Sequence, residues 1–245
     1  MITMLEITLH DGPARLGKWN NTLTPSILST NTVNLVDNLP MAYDVPRELA
    51  EWSVEETIQK AHEGNRNNVA VIHGAKYLDL RLKCVQELEK LGYNNFMLAN
   101  TDQLLKRSRD AVNMLVGLRE GMNPNSSLYV PFCDINYIPL LAYLGVDLFG
   151  DAICGYYART EILITPDSKY PLKKYEIYDI GYSELLLYNK NSLDLVVREV
   201  KAHIENGTLR NLVEMRCTSS PETMAALKIL DREYGDYLLK YTPLY

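Results

Sequence analysis

Apolar residues fall into two rhythms along this chain. Residues 69–73, 96–99, 128–130 and 146–149 are short, nearly continuous apolar runs, the pattern of strands buried on both faces of a parallel sheet. Between them the period changes to 3.6. Leu78, Leu82, Val85, Leu88 and Leu91 form one helical stripe that stops at Gly92. Thr101 reads as the N-cap of a helix over residues 102–119, and a further helix leads from Cys133-Asp134-Ile135-Asn136 up to Gly145. Ser53-Val54-Glu55-Glu56 has the form of a capping box and predicts a helix from Ser53 to Gly64. Strand and helix alternating at this spacing predict an α/β fold with a parallel sheet, most naturally a TIM (β/α)8-like barrel whose successive strands are neighbours.

The two ends have other patterns. Leu5 to Leu9 alternates apolar and polar residues, and turn residues follow at His10-Asp11-Gly12-Pro13 and Asn20-Asn21, so residues 1–30 read as an N-terminal hairpin. Residues 162–165 read as one more strand. The last section, residues 191–245, reads as helical: Asn191 or Ser192 caps a helix to Asn206-Gly207, a second covers 209–216, and Ser220-Pro221-Glu222 opens a third to about Lys240. With 245 residues, one domain is the expectation.

Composition narrows the class. Hydrophobic residues are 47% and charged residues 23%, ordinary for a globular protein with a sizeable core. No apolar run approaches the ~18 residues of a membrane span, and the start lacks the basic and apolar regions of a signal peptide, so the expected location is the cytoplasm. Cys84, Cys133, Cys154 and Cys217 lie far apart, the spacing of isolated thiols rather than of a metal site; no metal and no cofactor are expected. The net charge of −6 leaves only local patches for a nucleic-acid backbone.

Chemistry-bearing candidates cluster late in the chain. Asp151, past the end of the 146–149 strand, sits where a carboxylate can face the mouth of a barrel as nucleophile or general base; Asp147, inside that strand, is a second candidate or a carboxylate capping a neighbouring loop. His73 ends a buried strand, where it could touch a base or a phosphate or be a core histidine. Arg159 follows Tyr156-Tyr157 as a phosphate or base contact or as a structural arginine. Lys169, Lys173 and Lys174, interleaved with Tyr170, Tyr175 and Tyr178, pair cations with rings that can stack on unpaired bases. No glycine-rich phosphate loop or nucleophile elbow occurs.

Residues 140–159, LLAYLGVDLFGDAICGYYAR, resemble the queuine/archaeosine tRNA-guanine transglycosylase family. Gly12, Arg15, Gly17, Lys18, Thr24 and Pro25 match its opening in order, and the stretch from Asn206 to Pro243 is similar to its terminal helices, most like those of the transglycosylase-like domain of archaeosine synthase. The resemblance implies a barrel whose bottom the N-terminal hairpin closes. It places Gly150 where the family carries its attacking aspartate, and His73 where a glutamine reads the base. The family's D-S-G-[GS]-F-Q segment and C-x-C-x-x-C…H zinc site are missing, and residues 31–52 skip a strand-helix unit, so fewer than eight strand-helix pairs are expected, with the gap beside the first strand. The resemblance further implies a role in tRNA modification, toward archaeosine, without base exchange and with a second archaeosine synthase subunit carrying the RNA-binding module. The alternatives are an active transglycosylase using Asp151 or Asp147, and a non-catalytic tRNA-binding or scaffold subunit. The exposed strand edge at the gap would favour a partner chain or a homo-oligomer.

Overall fold

The computed structural model describes residues 4–177 and 179–240. Strands β1 (Glu6–Asp11), β2 (Ala14–Trp19) and β3 (Thr22–Thr24) form an antiparallel sheet in that order. Asn20 and Asn21 both take positive φ, 46° and 62°, as the two central residues of a tight hairpin turn require. The chain then enters the main sheet through β4 (Ser26–Leu28).

The main sheet is parallel. After helix α1 (Arg47–Ala61) come β5 (Ala70–Ile72), α2 (Leu78–Lys90), β6 (Asn95–Leu98), the short α3 (Thr101–Leu104), α4 (Ser108–Gly121) and β7 (Ser127–Val130). A 3-10 turn at Ile135–Tyr137 leads into α5 (Ile138–Tyr143), followed by β8 (Leu148–Gly150) and α6 (Ala152–Arg159). The strand order is β4-β8-β7-β6-β5. The four strands expected from the apolar runs are therefore adjacent and parallel in the expected order, with β4 added beside β8 as the first strand of a barrel adjoins the last. Between β4 and β5, where the unit is missing, only Leu35 pairs with Val69 as an isolated parallel bridge, through Val36 N to Val69 O (2.9 Å) and Val69 N to Asn34 O (2.9 Å). The result is a shortened, irregular barrel.

Alternation along each strand sets the two faces. Val69, Tyr129 and Leu148, with Leu28, Val33, Met97 and Trp19, fill the inside as one cluster. Phe96, Leu98, Leu128, Val130 and Phe149 belong to the larger core that the helices cover. The hairpin closes the bottom. Trp19 donates its indole N–H to Asn95 Oδ1 at 2.6 Å, at the start of β6, and Ser127 Oγ, at the start of β7, donates to the same oxygen at 2.9 Å.

After α6 the chain leaves the sheet. The strand expected over 162–165 is β9 (Ile162–Ile164), which pairs antiparallel with β10 (Lys169–Pro171) in a separate two-stranded hairpin. The helical section consists of α7 (Tyr182–Glu205), α8 (Leu209–Cys217), α9 (Pro221–Glu233) and α10 (Gly235–Leu239); the expectation for 191–245 extends past the described residues at 241–245.

Four helix boundaries differ from the expectation. Ser53 does not cap: α1 begins at Arg47 behind Pro46, and Ser53, buried in mid-helix, donates to Leu39 O at 2.7 Å. The helix expected over 102–119 is broken into α3 and α4 where Arg107 leaves the helical region (φ −118°, ψ 84°), and Thr101 Oγ1 donates to Phe132 O (2.8 Å) instead of capping. Nor does α7 start at Asn191; it starts at Tyr182. The polar run that suggested a cap holds Asn189, fully buried, whose amide bridges β9 by accepting from Ile164 N (2.9 Å) and donating to Ile162 O (3.0 Å). A buried asparagine acting as the missing neighbour of a strand satisfies two backbone groups that would otherwise be orphaned. The third C-terminal helix also breaks at Tyr234 rather than running unbroken to Lys240.

Candidate functional site

The C-terminal ends of β4 to β8 should hold the chemistry of such a sheet. Asp151 stands there, at the junction of β8 and α6, with a side chain 14% exposed. Its Oδ1 accepts from Thr30 N (3.0 Å) and Thr30 Oγ1 (3.2 Å), and its Oδ2 lies 3.5 Å from Lys190 Nζ. Burial pushes its pKa up, but the two Thr30 donors and Lys190 outweigh that and hold it below the ordinary value. The carboxylate is thus an anion with most of its hydrogen-bonding capacity directed at the loop after β4 and at α7.

One residue earlier the backbone is closed to side chains. A Cβ built on Gly150 would lie 2.1 Å from Pro131 O and 2.7 Å from Pro131 C, in the chain leaving β7. Asp147 sits at the opposite end of β8, fully buried. Arg15 meets it with both Nε and Nη2 at 2.7 Å, and Leu128 N donates to Oδ2 at 2.8 Å. This carboxylate ties the N-terminal hairpin to the bottom of the sheet.

His73 ends β5 three strand spacings from β8, on the order of 14 Å along the sheet, and is 3% exposed. Its Nε2 lies 2.9 Å from Asn38 Oδ1. The segment that carries Asn38 runs across the ends of β5 and β6: Met41 O accepts from Asn100 Nδ2 (3.0 Å), and Asp44 pairs with Lys76 (2.5 Å). Burial, and then the nearby Arg81, depress the His73 pKa from 6.5 to about 4. Arg81 gave no signal in the sequence, yet it is fully buried and holds the ends of β5 and β6 together through Ala75 O (2.8 Å) and Ala99 O (3.0 Å).

The shift on His73 has a measurable consequence. The unfolded histidine takes up a proton near 6.5 and the folded one only near 4, so within that window the unfolded state binds more protons and stability falls as the pH falls. Relative to His73→Gln, the wild-type chain should lose about 3 kcal/mol between pH 7 and pH 4. Urea unfolding at both pH values checks this; parallel pH profiles for the two proteins would refute it.

The remaining candidates lie on the outside. Arg159, exposed in the last turn of α6, makes no ion pair among the described residues. Lys173 and Lys174 are exposed in the turn after β10; Lys174 Nζ lies 5.8 Å from the Tyr175 ring, which packs edge-on against Tyr170 at 5.1 Å. Tyr178, the third tyrosine of that patch, lies outside the described residues.

A larger opening lies beyond the ends of β6 and β7, between α3, α6, the β9–β10 turn and the start of α9. It is a cleft of about 600 Å³. Phe132, Tyr156 and Tyr157 line one side, and Asp134 accepts there from Tyr157 Oη and from Lys169 Nζ (2.7 Å). Of the lysine–tyrosine patch read from the sequence, Lys169 contributes to it. The rest comes from five segments far apart in the chain, each too short to carry a signal. Among the described residues no cluster of histidine, cysteine and carboxylate side chains could hold a metal, and no helix is long and apolar enough to cross a membrane.

Comparison with known proteins gives a consistent set of likenesses. A family model described as queuine tRNA-ribosyltransferase matches residues 26–181. The chain is 28% identical over 186 residues to an archaeosine synthase of Methanocaldococcus jannaschii, covering 76% of this chain and 30% of that protein. It is 27% identical over 234 residues to a tRNA-guanine(15) transglycosylase of Pyrococcus furiosus, covering 84% of this chain and 40% of that protein. Against the tRNA-guanine(15) transglycosylase of M. jannaschii the figures are 26%, 86% and 38%. The chain thus spans 30% to 40% of the length of these relatives.

Proposed function

The chain belongs to the queuine tRNA-ribosyltransferase family, and from that premise we propose that it serves in tRNA modification as a transglycosylase-like component of archaeosine synthesis that has lost base exchange. The observation that carries the loss is Gly150. It stands where the resemblance puts the attacking aspartate, and the carbonyl of Pro131, 2.1 Å from a Cβ at that position, leaves no room for one. Asp151 is the carboxylate next to that position, at the end of β8, and it is engaged by Thr30 and Lys190. Asp147 has a structural role, as its full burial and its Arg15 partner suggest.

In this reading the protein works in the cytoplasm with tRNA and with a second chain that carries the RNA-binding module. The net charge of −6 supports the need for such a partner, since affinity for a phosphate backbone comes largely from displaced counterions. Arg159, Lys173 and Lys174 are the exposed cations assigned to the RNA, and His73, buried behind Asn38, supports the strand ends without contacting a base.

Incubating the chain with its tRNA and radiolabelled guanine or a labelled 7-deazaguanine tests the reading. No incorporation is expected from the chain alone. Time-dependent incorporation that disappears in Asp151→Ala would overturn it in favour of an active transglycosylase. A co-purifying partner that restores conversion of the tRNA would support it.

A further inference from the structure

The cleft between α3, α6, the β9–β10 turn and α9 holds none of the residues assigned to the RNA or to the strand ends, and it has a chemistry of its own. Its volume of about 600 Å³ suits a small organic molecule. One wall is aromatic. Tyr156 packs edge-on against Phe132 and Tyr157, with centroids 5.8 Å and 5.4 Å apart, yet it is 52% exposed.

The polar lining is unbalanced toward acceptors. Four carboxylates, those of Asp102, Asp134, Asp167 and Glu222, line the cleft against the two ammonium groups of Lys106 and Lys169. Asp167 is neutralised by Arg216, and Asp134 by Lys169 at 2.7 Å. Asp102 has no ion pair among the described residues. The Oδ1 of Asn136, another lining residue, is a buried acceptor without a donor. Acceptors in excess beside an aromatic wall favour a guest that brings positive charge and N–H groups, and they repel phosphate.

We propose that this cleft binds a small organic cation, an apolar or flat body bearing an amine, amidine or guanidine group, with its body against Tyr156 and its charged end at Asp102 and Asp134. Lys169 makes the proposal directional. It occupies Asp134 as an internal cation from β10 and also reaches Tyr157 Oη at 3.2 Å. A cationic guest competes with this ammonium, whereas an anionic guest would use it.

Calorimetric titration of the whole chain with benzamidine as the probe, and with adenosine monophosphate as an anionic aromatic counterpart, tests the assignment. Benzamidine is expected to bind with a Kd on the order of 100 μM and adenosine monophosphate more weakly. Tyr156→Ala and Asp102→Asn should each weaken benzamidine several-fold, and Lys169→Met should tighten it several-fold. Tyr156 and Asp102 are exposed, so these variants should keep the wild-type melting temperature. Tighter binding of adenosine monophosphate that is lost in Lys169→Met would overturn the proposal, as would benzamidine binding indifferent to Tyr156→Ala, or no heat from benzamidine at millimolar concentration. The inference uses no residue assigned to the strand ends or to the RNA, so its failure leaves the tRNA reading standing, and the reverse.

Discussion

Gly150→Asp, which writes a carboxylate back into the position where the family resemblance expects one, should unfold the protein rather than give it an exchange activity. The Cβ would meet Pro131 O at 2.1 Å, Pro131 C at 2.7 Å and Pro131 Cα at 2.9 Å, all backbone atoms that cannot rotate away. Both strands involved are buried on both faces, so relief requires β7 and β8 to separate where Val130 pairs with Phe149. Overpacking of this kind costs about 3 kcal/mol or more for the methyl group alone, as Gly150→Ala should show. The aspartate adds a buried charge without a partner, which brings the expected loss to about 5 kcal/mol or more, most of the stability of an ordinary domain. Denaturant unfolding of both variants gives the ranking. A folded Gly150→Asp protein with wild-type stability would show that the loop after β7 yields, and the argument for a sealed position would fall with it.

Arg15→Met should cost about 3–5 kcal/mol, because it leaves the Asp147 carboxylate fully buried with only Leu128 N as a donor. The loss belongs to the uncompensated charge more than to the pair itself. Arg15→Met with Asp147→Leu should therefore recover a large part of it, although Leu128 N then loses its acceptor and Ser126 O, which Arg15 Nη2 also meets at 2.7 Å, loses a donor. A double-mutant cycle of unfolding free energies separates these terms. If the double variant were as unstable as the sum of the two single ones, Asp147 would not be the main partner of Arg15.

The sheet is legible in the chain because its four apolar runs are buried on both faces and a sequence shows that directly. The barrel's shortening is legible too, since residues 31–52 lack the length for another unit. Ser53 and Thr101, expected as helix caps, each spend their side chain on a backbone group elsewhere in the chain instead, at Leu39 and Phe132. Local pattern cannot distinguish the two uses. The cleft is invisible in the sequence for a related reason: Tyr156, Asp134 and Asn136 carry no local signal of a shared site, and only the fold brings them beside Asp102 and Glu222. Asp151 and Arg159 are close in sequence, yet α6 separates them by its eight residues, about 12 Å of helix.

The pairing of β4 with β8, Ser26 against Leu148, bears on how the protein is made. The ribosome releases the first strand of the sheet long before the one strand that can hold it: at about 5–20 residues per second, the roughly 120 residues between them take about 6–24 s to appear. During that time the nascent chain can complete β5 through β7 in order, each beside its predecessor, while the Arg15 guanidinium waits for its carboxylate partner. Closure is then a late event in which Asp147 and β8 arrive together, the one strand and the one carboxylate that β4 and Arg15 await.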